Sequence, residues 1–337
     1  MRKAYQDARE RAVSIDRSSR GRIVVSGSDR GSYLHGLFTN DITALKAGDG
    51  CYSAYLTPQG RMISDLWVYE LGDVILLDLP SVETKNVVLA KLDQFIFSED
   101  VQLGDVTEAF AQIAVIGPDA ARVVGALLGG DPGRLASLSD HGCVRGSIAG
   151  GSAIVTRVTD TGEPGFDLYI ERPRLDALRQ LLASDHVVEA DAETVEVLRV
   201  EAGVPLFHRD MDEDTIPLEA GIESRAISLS KGCYVGQEVI IRVLHRGHGR
   251  VARKLVGLSM DGSDVPASGA AVTIDDRQIG RVTSAVQSVA LGRPIALAYL
   301  QRDFLEPGTA AIVGGAKAVV TALPFAATDS SKPDRNR

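Results

Sequence analysis

Ile23-Val24-Val25-Ser26-Gly27-Ser28-Asp29 and Ile113-Ala114-Val115-Ile116-Gly117-Pro118-Asp119 are two versions of one phrase. Each is a short β-rich run closed by Gly-x-Asp, the pattern of a strand that turns into a helix N-terminus. The segments that follow agree at the same offset of 90 residues. Leu34, Leu37 and Phe38 hold the i, i+3, i+4 spacing of one helix face, and so do Val124, Leu127 and Leu128. Strands are predicted next over residues 61–70 and 73–79, then a helix from Ser81 with Val88, Leu92 and Phe95 on one face. The second copy answers with strands over 153–159 and 166–170 and a helix from Pro173 that aligns Leu175, Leu178 and Leu182. Each copy reads β-α-β-β-α, closed by a further strand, which is the ferredoxin-like split βαβ order. Two related, intertwined units of an α+β fold are therefore expected, over 1–110 and 111–250.

Past Arg250 the pattern changes. Short β-type runs over 251–258, 271–274, 278–284, 296–300 and 311–321 are separated by Gly, Asp, Ser and Pro clusters. Regular short strands without helices predict a small C-terminal β-barrel over 251–325. The polar stretch 326–337, with its proline, reads as a disordered tail. Three domains within 337 residues, 45% apolar and 24% charged, suit an ordinary globular chain. The net charge of −9 argues against broad coating of nucleic acid, which needs many basic contacts to phosphate. Three cysteines make neither a disulfide framework nor a CxxC metal clasp, and they point to a reducing compartment. The charged N-terminus lacks the apolar core of a signal peptide, and no apolar run approaches the roughly 18 residues of a membrane span. A cytoplasmic protein without a membrane partner is expected.

Several chemistries are excluded by missing motifs. Lys231-Gly232 has no glycine-rich run before it, so there is no phosphate loop, and Gly27–Gly31 is no dinucleotide fingerprint. Neither HExxH nor GxSxG occurs. His245 and His248 have no carboxylate nearby, and no metal site is assigned. Four places remain. Asp65 interrupts an apolar strand, either as an edge acid facing water or as a carboxylate lining a cleft. Asp167 stands one residue into the strand after the Gly162–Gly165 turn, either solvated or ready to accept paired N–H donors from a heterocycle. Arg199 and Glu201 flank an apolar segment ending at Gly203, as an ion pair or as ligand contacts. Ser230-Lys231-Gly232-Cys233-Tyr234-Val235-Gly236-Gln237-Glu238 brackets a cysteine between glycines, with Lys231 before it and Arg242 after it. Nearby cations favour thiolate over thiol. A lone cysteine is otherwise a small buried hydrophobe, although flanking glycines favour a turn. From Arg242 to Lys254 basic residues accumulate (His245, Arg246, His248, Arg250, Arg253), which suits an anion such as polyglutamate or RNA phosphate. A solvated linker is the plainer alternative.

At these residues the chain resembles the folate-binding superfamily that contains the glycine-cleavage T-protein (aminomethyltransferase) and the YgfZ proteins. The resemblance is carried by Ile23–Gly27, Leu37-Phe-Thr-Asn-Asp41, the strand from Gly60 to Asp65, Thr161-Gly-Glu-Pro-Gly-Phe-Asp167, Arg199-Val-Glu-Ala-Gly203 and Pro217-Leu-Glu-Ala-Gly221. Lys231-Gly-Cys-Tyr-Val-Gly-Gln-Glu238 resembles the signature of the YgfZ branch. The resemblance implies a three-domain cloverleaf around a central channel that holds tetrahydrofolate or a one-carbon derivative. It implies Asp167, Arg199, Glu201, Tyr234 and Arg242 as folate contacts, Cys233 as a reactive or cluster-contacting thiol, and Lys231 and Arg242 as groups tuning that thiol. Where the T-protein carries an Asp-Asp doublet, this strand carries Ser64-Asp65. The YgfZ branch implies folate-dependent assembly or repair of iron–sulfur client enzymes, with an indirect effect on tRNA modification. Two alternatives stand beside it: a tetrahydrofolate-dependent aminomethyltransferase with Asp65 as its acid/base, and a non-catalytic folate-gated adaptor.

Overall fold

The computed structural model describes residues 2–245 and 250–326. Helix α1 (Arg2–Glu10) and strand β1 (Val13–Asp16) open the chain. There follow β2 (Gly21–Ser26), α2 (Arg30–Leu37), β3 (Gly50–Leu56), β4 (Met62–Glu70), β5 (Ile75–Leu79), α3 (Val82–Asp93) and β6 (Gln102–Asp105). The second passage runs β7 (Phe110–Ile116), α4 (Ala120–Leu128), α5 (Pro132–Ala136), β8 (Cys143–Ile148), β9 (Gly151–Val158), β10 (Gly165–Glu171), α6 (Leu175–Ser184) and β11 (Val188–Glu189). Helices α7 (Ala192–Glu201), α8 (Pro217–Ala220), α9 (Glu223–Ala226) and α10 (Gln237–His245) lead to β12 (Arg253–Met260), β13 (Ala271–Ile274), β14 (Arg277–Gln287), β15 (Pro294–Gln301), β16 (Ala310–Val313) and β17 (Ala316–Thr321). The tail expected over 326–337 lies, from residue 327, outside the described residues.

The internal repeat is a structural repeat. The first sheet is ordered β3-β4-β5-β2-β6 and the second β8-β9-β10-β7-β1-β11. Each copy holds three strands between its helices instead of the two expected, because β3 and β8 join the outer edge. Both additions are rich in Gly, Ser and Cys, which hides them from a search for β-branched runs. The first copy also lends its N-terminal strand to the second sheet, while β6 closes the first sheet as the expected further strand. β1 leaves its own unit to pair antiparallel with β7, Val13 opposite Ile116, and β6 pairs antiparallel with β2, Val25 opposite Leu103.

The Gly-x-Asp phrase is the device that docks β6 and β1 on their sheets. Gly27 has φ +102°, and a β-carbon there would stand 2.0 Å from the Asp100 carbonyl oxygen, just before β6. Gly117 has φ +123°, and its β-carbon would stand 2.5 Å from the Arg11 carbonyl, just before β1. The aspartate N–H groups complete the clasp: Asp29 donates to the Asp100 carbonyl at 3.2 Å and Asp119 to the Arg11 carbonyl at 2.8 Å. Only glycine supplies both that conformation and that proximity.

The two crossings between the sheets, residues 17–20 and 106–109, form a buried polar seam. The Arg22 side chain, fully buried, donates to the carbonyls of Ser18, Thr107 and Phe110 and to Oε1 of Gln112. Gln112 Nε2 reaches Asp78 at 2.8 Å and Asp167 at 3.0 Å, so one amide links a strand of each sheet. The C-terminal strands close into a six-stranded barrel, β12-β15-β14-β13-β16-β17. The run expected over 311–321 is two strands, because Gly314 and Gly315, both with positive φ, make a hairpin turn. Buried Glu201 ties the barrel to the rest: it accepts from Tyr5, Arg9, Ser288 and the Ala290 N–H.

Gly27→Ala is expected to lower the stability to urea by at least about 2 kcal/mol, through backbone strain and displacement of the segment before β6. Gly31→Ala, in α2 with nothing within 4 Å of the new methyl, is the control and is expected to gain about 0.5–1 kcal/mol. Equal midpoints for the two variants would remove the docking role of the Gly-x-Asp phrase.

Candidate functional site

Between the sheets and the segment after α7 lies a small cleft with about 60 Å³ of enclosed free volume. Arg20, Tyr52, Asp65, Trp67, His141, Asp160, Arg199 and Arg225 contribute to its wall. Asp65 comes from β4, which is flanked by β3 and β5, so it is not an edge acid. Only 3% of it is exposed. Strand alternation puts Trp67 on the same face, two residues on. Tyr52 stands opposite Trp67 on β3, and its hydroxyl donates to Asp65 Oδ2 at 2.6 Å. Asp65 Oδ1 is buried without a hydrogen-bond partner. Burial pushes the Asp65 carboxyl above its ordinary range, against the opposing pull of the Tyr52 hydrogen bond and of Arg20 and Arg225.

The rest of the wall repeats this incompleteness. Arg20 Nε is fixed on Asp78 Oδ1 at 2.7 Å, and its guanidinium lies 4.2 Å from the centroid of the Trp67 ring. Its Nη2 is nevertheless buried and unpaired. His141 Nδ1 is a third buried atom without a partner. Native interiors satisfy nearly all such groups, because each orphan costs about 1–3 kcal/mol. An acceptor, a donor and an imidazole nitrogen left open in one cleft therefore mark a place for a polar ligand. The Arg225 guanidinium sits 5.4 Å from the Tyr52 ring centroid.

The residues singled out from the sequence do not gather in one place. Asp167, on β10, lies in the seam rather than among the cleft-lining residues: Arg17 donates to both its oxygens at 3.2 Å and Gln112 to one at 3.0 Å. Burial pushes its carboxyl up, opposed by Arg17, while Asp160 beside the same Arg17 is held below its ordinary range. Arg199 does line the cleft, yet its donors are committed to Glu196, Val204, Asp210 and Ser284. Glu201 holds α1 and the barrel together, as described above. Lys231 donates to the carbonyls of His35, Phe38 and Asn40, capping the end of α2, and burial draws its pKa down to about 8. Its ammonium is thus committed to carbonyl oxygens, not to Cys233. Tyr234 is buried beneath that ammonium, 5.0 Å from the ring centroid. Cys233 is exposed, whereas burial pushes the Cys51 thiol up to about 12 and the Cys143 thiol to about 11. Arg242 and His245 are exposed on α10; Arg253 and Lys254 pair with Glu219 and Glu223; Arg246 and His248 lie outside the described residues.

Arg20, Tyr52, Trp67, His141 and Arg225 were not legible as site residues. Trp67 alone carried a signal, as the single tryptophan, two residues from Asp65 in one strand. The others reach the cleft through β3, a crossing, the loop before β8 and the one-turn helix α9, segments whose sequence has no periodicity. Among the described residues no cluster of His, Cys, Asp or Glu has a metal-binding arrangement, and no helix is long and apolar enough to cross a membrane.

Comparison with known proteins places this geometry in a family. Residues 1–231 match the GCVT N-terminal domain and residues 253–326 the glycine cleavage T-protein C-terminal barrel domain. A Streptomyces coelicolor protein named aminomethyltransferase is 30% identical over 334 residues, covering 96% of this chain and 89% of that one. One from Rubrobacter xylanophilus is 32% identical over 297 residues, covering 88% and 78%. The crystal structure of the glycine cleavage system aminomethyltransferase T from Bartonella henselae superposes with a TM-score of 0.87 at 24% identity, over 97% of this chain and 89% of that one, a likeness of fold.

Because burial raises the Asp65 carboxyl, the native state holds its proton to higher pH than the unfolded chain does. This burial cost is absent below the unfolded pKa and grows as pH rises through the folded one. Asp65→Asn, which keeps an acceptor for Tyr52, is therefore expected to match wild type at pH 4 and to exceed it in thermal stability at pH 8. A variant less stable than wild type at pH 8 would contradict the assigned direction.

Proposed function

The chain belongs to the aminomethyltransferase family, the family of the glycine-cleavage T-protein, and on that premise we propose that it binds tetrahydrofolate in the cleft around Asp65 and acts as a tetrahydrofolate-dependent aminomethyltransferase. The observation that carries the reading is the buried Asp65 carboxylate with one oxygen fixed by Tyr52 and the other open. When bound, tetrahydrofolate supplies the secondary amines that accept a one-carbon unit. The residues present suit such a group: Asp65 Oδ1 offers an acceptor, Arg20 Nη2 a donor, and Trp67 and Tyr52 broad ring surfaces for a heterocycle.

In this reading Asp65 holds or moves a proton at Oδ1. Its desolvated position brings its pKa closer to the working pH than that of a surface aspartate, which favours acid/base work. Tyr52, whose own hydroxyl burial and Asp65 push well above the ordinary range, remains a donor and fixes the carboxylate plane. Arg20 and Arg225 are the cations that face Asp65 and keep its charged form accessible. Asp78 holds Arg20 in place from behind.

A second reading follows the Lys231–Glu238 motif: a tetrahydrofolate-binding accessory protein of the YgfZ type, serving assembly or repair of iron–sulfur enzymes through Cys233. The observation favouring it is that Cys233 is the exposed thiol of the three, on a loop pinned to α2 by Lys231 and by the Val235 N–H donating to the Gly36 carbonyl.

Calorimetric titration with tetrahydrofolate tests both readings, and an absence of binding heat would remove them together. With binding in hand, the first predicts folate-dependent ammonia release from an aminomethyl-dihydrolipoyl carrier, reduced about 100-fold or more in Asp65→Asn and unaltered in Cys233→Ser. The second predicts no ammonia release, with Cys233→Ser failing to restore iron–sulfur enzyme activity in a deletion strain.

A further inference from the structure

His141 occupies an unusual place in this molecule. It lies in the loop before β8, and its backbone adopts φ +63°, a left-handed conformation that costs an L-residue energy unless the surroundings enforce it. The surroundings do enforce it. The loop is pressed on the first sheet, where a β-carbon at Gly50 would meet the His141 carbonyl oxygen at 2.4 Å and the Cys143 N–H donates to the Gly48 carbonyl at 2.8 Å. Within the loop the Gly142 N–H donates to the Ser139 carbonyl, and the Gly142 carbonyl accepts from the Arg157 N–H. A segment of the second unit is thereby held against the edge strand of the first. Of the non-glycine residues with positive φ among the described residues, His141 alone lines the cleft.

The ring is also left unsatisfied. Nδ1 is buried without a hydrogen-bond partner, although His141 shares its cleft with two other unpaired polar atoms, on Asp65 and Arg20. The charged groups that act on the ring are Asp140 and Asp160, which favour its protonated form, and Arg225, which opposes it. Burial outweighs all three and draws its pKa below the ordinary histidine range, so the ring is neutral at pH 7 and Nδ1 can accept or donate according to tautomer. A strained backbone, a buried unpaired nitrogen and a cleft position together describe a side chain held ready for a partner that the protein itself does not supply.

We propose that His141 is a ligand-contacting, specificity-determining residue of the cleft, its Nδ1 hydrogen-bonding a polar edge of the bound reduced folate. The inference rests on the folate reading of the cleft and adds to it a contact from the second unit, so that the ligand bridges both halves of the repeat. Asp65 and Tyr52 come from the first unit and His141 from the second. A folate analogue lacking the polar group that meets His141 would leave Nδ1 buried and unpaired, and would be discriminated against for that reason.

The experiment is calorimetric titration of the full chain with 5-formyltetrahydrofolate, comparing wild type with His141→Gly and His141→Asn. Glycine tolerates positive φ and so removes the ring without adding strain, while asparagine also tolerates that backbone and places an amide where Nδ1 stands. His141→Gly is expected to weaken binding about ten- to hundredfold, with His141→Asn remaining within about threefold of wild type. Thermal melts accompany each variant, so a loss of binding in a folded protein is separated from a loss of folding. Wild-type affinity in His141→Gly would overturn the role of the ring while leaving the folate reading standing. A ligand that fails to bind wild type at all would overturn that reading, and the role of His141 with it. Equal losses in the Gly and Asn variants would also count against it, by assigning the effect to the loop and not to Nδ1.

Discussion

The transfer of β1 to the second sheet is the constraint on which the rest of the structure depends. Val13–Asp16 must leave its own unit to lie beside β7, and Gln102–Asp105 must lie beside β2. The chain therefore crosses between sheets twice, and crossings cannot be apolar, since their backbone groups are outside any ladder and still need partners. Arg22 answers with one guanidinium for two of those carbonyls, Ser18 and Thr107, and for that of Phe110 at the start of β7. Around it Arg17 and Arg20 meet Asp78, Asp160 and Asp167, a set of buried charges that pair across the seam. Burying ions is unfavourable unless each has a counter-ion and hydrogen bonds, and here the seam provides both.

The cleft inherits its chemistry from that seam. Arg20 belongs to the first crossing, and Asp78 restrains it through Nε while Trp67 covers its face, and its Nη2 is buried without a hydrogen-bond partner. Asp65 is fixed through one oxygen and open at the other. The same arrangement that costs stability in the free protein preorganises the groups a ligand would meet, so little reordering is needed on binding. Gln112 and Tyr169 complete Asp78 from the opposite side, so the position of Arg20 depends on residues that never reach the cleft.

The two chemically distinctive regions of the sequence are organised differently. The Asp65 strand is an interior strand whose acid is desolvated and incompletely satisfied. The Lys231–Glu238 motif is a loop whose lysine is occupied with the carbonyls of His35, Phe38 and Asn40 at the end of α2 and whose cysteine faces outward. The family match covers the N-terminal domain and the barrel, and the aminomethyltransferase relatives extend over nearly the whole chain.

Local pattern was enough to find the repeat, the barrel and the anomalous acid at Asp65, because strand alternation, helix periodicity and Gly-x-Asp turns are written in neighbouring residues. It was not enough for β3 and β8, whose Gly, Ser and Cys dilute the β signature, nor for the transfer of β1, since its partner β7 lies far along the chain. Asp167, Arg199 and Glu201 stood out in the sequence as polar residues in apolar surroundings. The fold gives all three protein partners, and polar residues in a core look alike from sequence whether a ligand or another side chain satisfies them. By itself the sequence determined the repeat of strands and helices and the two-unit-plus-barrel architecture. Only the tertiary structure decided which buried charges are neutralised and which polar atoms, on Arg20, Asp65 and His141, are left open, because that depends on what packs across the seam and not on what lies next in the chain.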